Sequence, residues 1–275
     1  YWLKLSAEQG HCEAQYSLGQ KYTEDKSRHK DNEQAIFWLK KAALQGHTFA
    51  SNALGWTLDR GEAPNYKEAV VWYQIAAESG MSYAQNNLGW MYRNGNGVAK
   101  DYALAFFWYK QAALQGHSDA QNNLADLYED GKGVAQNKTL AAFWYLKSAQ
   151  QGNRHAQFQI AWDYNAGEGV DQDYKQAMYW YLKAAAQESV GAYVNIGYMY
   201  KHGQGVEKDY QAAFEWFTKA AECNDATAWY NLAIMYHYGE GRPVDLRQAL
   251  DLYRKVQSSG TRDVSQEIRE TEDLL

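Results

Sequence analysis

Hydrophobic and polar residues alternate along this chain with the spacing of short amphipathic helices. Between residues 82 and 94, small or apolar side chains recur at the i, i+4 and i+7 positions of one helical face, formed by Ala84, Leu88, Gly89, Met91 and Tyr92. A second stripe follows between residues 102 and 115, formed by Ala105, Trp108, Tyr109, Ala112 and Ala113. Gly95, Gly97 and Asp101 separate the two stripes. Because Gly adopts the left-handed conformation that ends helices and Asp caps helix starts, this segment predicts a helix-turn-helix unit.

The same pattern recurs along almost the whole chain. Trp occurs at positions 2, 38, 72, 108, 144, 180 and 216, at intervals of 36, 34, 36, 36, 36 and 36 residues. Two glycines separated by one residue recur at 95/97, 131/133, 167/169, 203/205 and 239/241. Since a single helix pair cannot bury both of its apolar stripes, neighbouring units have to stack against one another.

The register of these repeats predicts one all-α solenoid over residues 1–275. We expect residues 1–10 to be the truncated second helix of a preceding repeat, so the chain is expected to be a fragment of a longer protein. Seven repeats are expected at about 11–46, 47–80, 81–116, 117–152, 153–188, 189–224 and 225–260, followed by a capping helix at 261–275. In the first copy, Asp25 and Ser27 stand where later copies have the two glycines.

The segment from Ala84 to Gly116 resembles the Sel1-like repeat, a relative of the tetratricopeptide repeat, through the pattern A-x-x-x-L-G-x-x-Y-x-x-G-x-G-V-x-x-D-Y-x-x-A-x-x-W-Y-x-x-A-A-x-x-G. This resemblance implies a right-handed α/α superhelical solenoid whose first helices line a concave groove. Members of that family are mostly adaptors, and many are exported bacterial proteins. The resemblance therefore implies a non-catalytic scaffold that binds a protein or peptide in its groove. It favours a periplasmic or secreted location, with a cytoplasmic location as the alternative.

Composition narrows the classes of function. The net charge is −6, which argues against nucleic acid as a partner because phosphate binding needs clustered Lys and Arg. The sequence has no run of eighteen apolar residues, so it predicts no membrane insertion. The two cysteines, Cys12 and Cys223, are too far apart along the stack to bridge and are predicted to be free thiols. We expect no cofactor, no metal site and no catalytic constellation, and we expect a monomer.

Polar and aromatic residues recur beside the buried stripe of each first helix. Asn stands one or two positions before the repeated Leu or Ile, and an aromatic residue often stands two positions after it. Asn offers both a donor and an acceptor to a peptide backbone, and Trp and Tyr are frequent in binding hot spots. The predicted binding residues of the concave face are Asn52, Trp56, Asn86, Asn87, Trp90, Arg93, Asn122, Asn123, Asp126, Trp162, Asn195, Tyr198 and Asn231.

Other interpretations of these residues remain open. The asparagines could bond between or within their own helices, and Trp56, Trp90 and Trp162 could belong to the core. A second functional hypothesis is a receptor-like or structural module of an exported bacterial protein that binds through the outer faces of its second helices. A third is a hydrolase acting on cell-wall or β-lactam-like substrates. The sequence contains scattered His and Glu residues that could serve such an enzyme, but no catalytic motif.

Overall fold

The computed structural model describes residues 1–24, 32–61 and 63–275. Within these residues the regular structure is helical, as the repeat pattern predicts, and no strand occurs. Asp25 and Ser27 lie outside the described residues. The sixteen helices of the described part are α1 (Trp2–Glu8), α2 (Cys12–Glu24), α3 (Asn32–Leu44), α4 (Thr48–Asp59), α5 (Tyr66–Glu78), α6 (Ser82–Asn94), α7 (Tyr102–Leu114), α8 (Ser118–Asp130), α9 (Lys138–Gln150), α10 (Arg154–Ala166), α11 (Tyr174–Ala185), α12 (Val190–His202), α13 (Tyr210–Glu222), α14 (Ala226–Tyr238), α15 (Leu246–Ser259) and α16 (Ser265–Asp273).

The helices form pairs that correspond to the sequence repeats. We call the first helix of each pair an A helix; these are the even-numbered helices α2 to α14. The second helix of each pair is a B helix; these are the odd-numbered helices α3 to α15. The most extensive helix contacts join the A and B helices of one repeat, or a B helix and the next A helix. The chain divides into two compact units, Tyr1–Ser148 and Ala149–Leu275, and the division falls within α9.

The two glycines that recur in five of the repeats have different structural roles, as the third repeat shows. Gly95 ends α6 in the left-handed conformation with φ of 76°, and its N–H donates to the Met91 carbonyl. Gly97 lies against the backbone of Tyr66 at the start of the preceding B helix, where a Cβ atom would collide with the carbonyl group. Asp101 then caps α7 by accepting hydrogen bonds from the N–H groups of Ala103 and Leu104 at 2.8 and 2.9 Å. The glycine pairs therefore act as structural turns.

A buried ring packs on a small residue inside each of several repeats. Tyr73, Tyr109, Tyr145 and Tyr181 are among the largest fully buried side chains, and each follows a repeated Trp. A Cβ atom on Gly89 would lie 2.7 Å from Cδ1 of Tyr109, so the glycine lets the B-helix ring approach the A helix. The repeated Trp residues differ more in their burial. Trp38 is buried, whereas Trp108 is partly exposed and packs at the edge of the core.

Buried glutamines connect successive repeats in a way that the hydrophobic pattern does not show. In the first unit, Gln85 Nε2 on α6 donates to the carbonyl of Ala77 on α5 at 3.2 Å, and Gln115 Nε2 donates to Gln85 Oε1 at 2.7 Å. The same arrangement occurs in the second unit, where Gln157 donates to the Ala149 carbonyl and accepts from Gln187. These bonds add a second hydrogen bond to backbone carbonyls at the ends of B helices and link those helices to the next helix pair.

Candidate interaction surface on the A helices

Four of the predicted asparagines form two hydrogen-bonded pairs between neighbouring A helices of the first unit. Asn87 Nδ2 on α6 donates to Asn52 Oδ1 on α4 at 3.2 Å. Asn123 Nδ2 on α8 donates to Asn86 Oδ1 on α6 at 3.0 Å. Each pair joins the residue before the repeated Leu to the residue two before the Leu of the preceding repeat. The asparagines thus link repeats, and each pair uses one donor and one acceptor of its two amide groups.

The remaining asparagines have other surroundings. Asn195 Nδ2 donates to the Gly191 carbonyl at 2.9 Å, and Asn231 Nδ2 donates to the Thr227 carbonyl at 2.8 Å, both within their own helix. Asn122 is buried, and its Oδ1 has no hydrogen-bond partner among the described residues. The predicted asparagines therefore fall into a paired set in the first unit, a locally bonded set in the second unit, and one buried residue.

The aromatic residues that follow the repeated Leu are open to solvent. Trp56 and Trp90 are 40% and 42% exposed on neighbouring A helices of the first unit. In the second unit, Trp162 on α10 and Tyr198 on α12 are also exposed, and the Tyr198 ring packs against the tilted ring of His202 at 4.1 Å between centroids. Large aromatic side chains that stay exposed form local apolar patches on the A helices.

Arg93 on α6 and Asp126 on α8 form an ion pair between neighbouring A helices. Arg93 Nη1 lies 2.9 Å from Asp126 Oδ2, and the Tyr145 hydroxyl donates to Asp126 Oδ1 at 2.9 Å. Burial opposes the charged form of Arg93, but the hydrogen bond and charge of Asp126 outweigh it and raise the Arg93 pKa above its usual value. The two charges neutralise each other, so this position offers a fixed polar link between repeats.

A cavity of about 350 Å³ opens between the first two A helices, and we call it the α2–α4 pocket. Its lining includes Asn52 and Trp56, which the sequence predicts as binding residues, together with Tyr16, Gln20, Phe49 and Met81. Tyr16 and Gln20 occupy the same repeat positions in the first copy as Asn52 and Trp56 in the second. The repeat register could therefore have identified them, although the residue types differ.

Three of the described histidines have structural surroundings. His47 and His117 cap α4 and α8, because Nδ1 of each ring accepts from the backbone N–H of Ala50 or Ala120. His237 Nδ1 lies 3.1 Å from the Thr271 hydroxyl oxygen. Among residues 1–24, 32–61 and 63–275, no group of three or more His, Cys, Asp or Glu side chains is placed to hold a metal ion. Both cysteines are free thiols, as predicted.

The repeat geometry has a match among known protein families. A model of the Sel1 repeat matches residues 1–11, 12–47, 48–81, 82–117, 118–153, 154–189, 190–225 and 226–255. This chain belongs to the Sel1 repeat family. The predicted all-α solenoid of about 36-residue repeats is thereby confirmed. Sel1-repeat proteins are generally non-catalytic modules for protein interaction.

Three relatives share these Sel1 repeats. The Sel1-repeat-containing protein YbeQ of Escherichia coli strain K12 is 99% identical over 101 residues, which is 37% of this chain and 31% of YbeQ. The crystal structure of c5321, described as a protective antigen present in uropathogenic Escherichia coli strains, aligns with a TM-score of 0.87 and 36% identity over 94% of this chain and 56% of that one. A Sel1 repeat protein from Oxalobacter formigenes aligns with a TM-score of 0.71 and 32% identity, over 78% of this chain and 86% of that one. The matched regions thus span about a third of YbeQ and about half of c5321.

The helices of these Sel1 repeats are short. In the part of the chain that the structure describes, every helix is too short or too polar to cross a bilayer.

Proposed function

We propose that this chain is a non-catalytic protein-interaction module that binds an extended segment of a partner protein along the A helices of its first unit. The observation that carries this proposal is the pair of open tryptophans, Trp56 and Trp90, at the same position of consecutive repeats. The Asn52–Asn87 hydrogen bond links the same two helices. Each of these two neighbouring helices therefore carries an exposed tryptophan and a hydrogen-bonded asparagine.

This arrangement suits an extended peptide. Packed helices lie about 8–10 Å apart, and an extended chain advances about 3.3 Å per residue. One repeat therefore corresponds to about three peptide residues. An amide side chain carries two N–H donors and an oxygen with two lone pairs. Each paired asparagine keeps hydrogen-bonding groups that the pair does not use, and these can bind a peptide backbone of any sequence.

The second unit offers a smaller set of the same kind. Trp162, Asn195, Tyr198 and Asn231 lie on its A helices, and the two aromatic residues are exposed. Because Asn195 and Asn231 bond to carbonyls of their own helices, their amide oxygens are not used by those bonds. We propose that this unit makes weaker contacts, through its aromatic residues and these oxygens.

A binding experiment with matched variants tests the proposal. Peptides of twelve residues are selected on the intact protein from a random displayed library, and their dissociation constants are measured for Trp90→Ala and Phe107→Ala. Phe107 is the control because it lies on a B helix and is 47% exposed, similar to Trp90. We expect about a tenfold or greater loss of affinity for Trp90→Ala, as for a hot-spot aromatic residue, and little change for Phe107→Ala.

One observation favours the outer-face alternative, and the same experiment decides it. Phe37, Phe107 and Phe143 are each 47% exposed on B helices of the first unit, and each packs edge-to-face on the Trp that follows it. A loss of affinity confined to Phe107→Ala would assign binding to the B helices and overturn the proposal for the A helices. No observation favours the hydrolase hypothesis.

A further inference from the structure

The asparagine pairs follow a positional rule that fails between α2 and α4. The residue before the repeated Leu donates to the residue two before the Leu of the preceding repeat, as in Asn87 to Asn52 and Asn123 to Asn86. By this rule, residue 53 would reach Tyr16. Residue 53 is Ala, and the Tyr16 hydroxyl instead accepts a hydrogen bond at 2.7 Å from Gln20 on its own helix. The α2–α4 pocket lies at this gap, and both Tyr16 and Ala53 line it.

The walls of the pocket are largely apolar. Tyr16, Phe49, Trp56 and Met81 contribute aromatic rings and a thioether, and Phe49 and Trp56 are exposed despite their size. Ligand pockets commonly range from about 300 to 1,000 Å³. The volume of about 350 Å³ is at the lower end of that range and suits one large side chain. Burying the open apolar walls against such a side chain is favourable.

A positive charge lies beside the Trp56 ring of this pocket. The Arg60 guanidinium lies over the Trp56 ring, 5.4 Å from its centroid, and the Arg60 side chain is 66% exposed. Asp59 Oδ1 lies 3.6 Å from Arg60 Nε, but the Asp59 side chain is largely buried, and its Oδ2 accepts a hydrogen bond from the Tyr73 hydroxyl. The outer part of the guanidinium therefore remains open to a carboxylate of a ligand.

We propose that the α2–α4 pocket binds a bulky apolar side chain, Phe, Leu or Met, of a partner peptide whose neighbouring residue is Asp or Glu. This inference rests on the proposed function, because an extended segment on the A helices has to deliver the side chain. The apolar residue fills the space left by Ala53, and the carboxylate pairs with Arg60.

Methyl NMR at Met81 provides a local measurement of pocket binding. The chain has five methionines, and the Met81 signal of the 13C-methyl-labelled protein is assigned with Met81→Leu. The probes are the blocked peptide acetyl-Gly-Ser-Gly-Phe-Asp-Gly-Ser-amide and two derivatives in which Phe becomes Ala or Asp becomes Lys. We expect the Phe-Asp peptide to shift the Met81 signal, with affinity at least about fivefold weaker for either derivative.

Two substitutions at equivalent repeat positions isolate the pocket. Ala53→Leu fills the cavity, and Ser17→Leu adds the same bulk at an exposed site one repeat earlier, outside the lining. We expect Ala53→Leu to lower the affinity for the Phe-Asp peptide, measured by the Met81 signal, about tenfold or more. We expect Ser17→Leu to change this affinity by less than about twofold. If Ala53→Leu fails to fold, Ala53→Asn takes its place, since Asn occupies this position at Asn87 and Asn123.

The outcomes separate this inference from the proposed function. Library peptides that lose affinity with Trp90→Ala but are unaffected by Ala53→Leu would overturn the pocket and leave the A-helix proposal standing. Equal affinity for the Phe-Asp and Phe-Lys peptides would overturn the role of Arg60. The absence of any binding, by library peptides and by the three probes, would overturn both proposals.

Discussion

In several repeats, the aromatic residue that follows the repeated Trp packs closely on a glycine of the A helix. Tyr109 is fully buried over Gly89, whereas Trp108 beside it is partly exposed. Both the Leu-Gly pair and the Trp-Tyr pair are plain in the sequence. Their mutual contact is not, because it depends on the angle at which the A and B helices cross. Helical spacing alone therefore predicts Trp108 and Tyr109 in one apolar stripe.

At the residue scale, His117 gives a prediction for pH dependence. Burial lowers the His117 pKa below its usual value, with Asp119 opposing the shift, and neutral Nδ1 accepts the Ala120 N–H at 3.3 Å. The unfolded chain therefore binds a proton more readily than the folded chain. The stabilisation is complete above the usual His pKa of about 6.5 and is lost as the pH falls below it, through the lower folded-state pKa.

His117→Asn is the matched variant, because Asn153 caps α10 in the same way and its oxygen does not titrate near neutrality. We expect the free-energy difference of unfolding between the native protein and His117→Asn to shrink, or to change sign in favour of the variant, between about pH 7.5 and pH 5. Chemical denaturation followed by circular dichroism measures this difference. A difference that stays constant over this range would show that His117 does not titrate differently in the folded state.

At the scale of elements, the buried glutamines are expected to stabilise the contact between successive helix pairs. Gln85→Ala removes the donor to the Ala77 carbonyl and the acceptor for Gln115. The Ala77 carbonyl keeps a backbone hydrogen bond, so the loss comes from the two hydrogen bonds of Gln85, each contributing about 0.5–1.5 kcal/mol. We therefore expect Gln85→Ala to lower the free energy of unfolding by about 1–3 kcal/mol. Gln74→Ala is the control, since Gln74 is exposed and bonds to Glu78 on its own helix, and surface changes usually stay within about 0.5 kcal/mol. Equal losses of unfolding free energy in the two variants would refute this role of Gln85.

Helices and turns could be predicted from the sequence, but the polar links between repeats could not. The Gly95 turn and the Asp101 cap depend on residues within a few positions of each other, so their spacing in the sequence identifies them. The Asn123–Asn86 bond joins different positions of two repeats, 37 residues apart. Its existence depends on how far each repeat is rotated relative to the last, which the periodicity of one chain does not specify.

The same dependence on helix arrangement explains why the sequence predicts only part of the α2–α4 pocket. The predicted set contained Asn52 and Trp56 because these residue types recur in register. It omitted Tyr16 and Gln20, which share those positions without sharing the residue type, and Phe49, which lies near the start of the helix. A pocket between repeats is formed by side chains from several helices, so its residues become evident only when the helices are in place.

At the scale of the whole molecule, the strongest contacts join helices that are neighbours in sequence. In such a stack, stability is approximately a sum of repeat terms and nearest-neighbour terms. A defect in one repeat should therefore remain local. The Tyr109→Ala variant tests this, because removing a fully buried aromatic side chain destabilises by about 3–5 kcal/mol.

Hydrogen exchange read by mass spectrometry follows the effect along the chain. We expect Tyr109→Ala to accelerate exchange in α6, α7 and α8, and to leave α13, α14 and α15 at their native rates. Trp108→Ala should produce a weaker acceleration in the same three helices, because Trp108 is partly exposed and its removal leaves less buried surface uncovered. Equal acceleration in all the described helices would mean that the chain unfolds as one cooperative body, and the nearest-neighbour account of its stability would then be wrong.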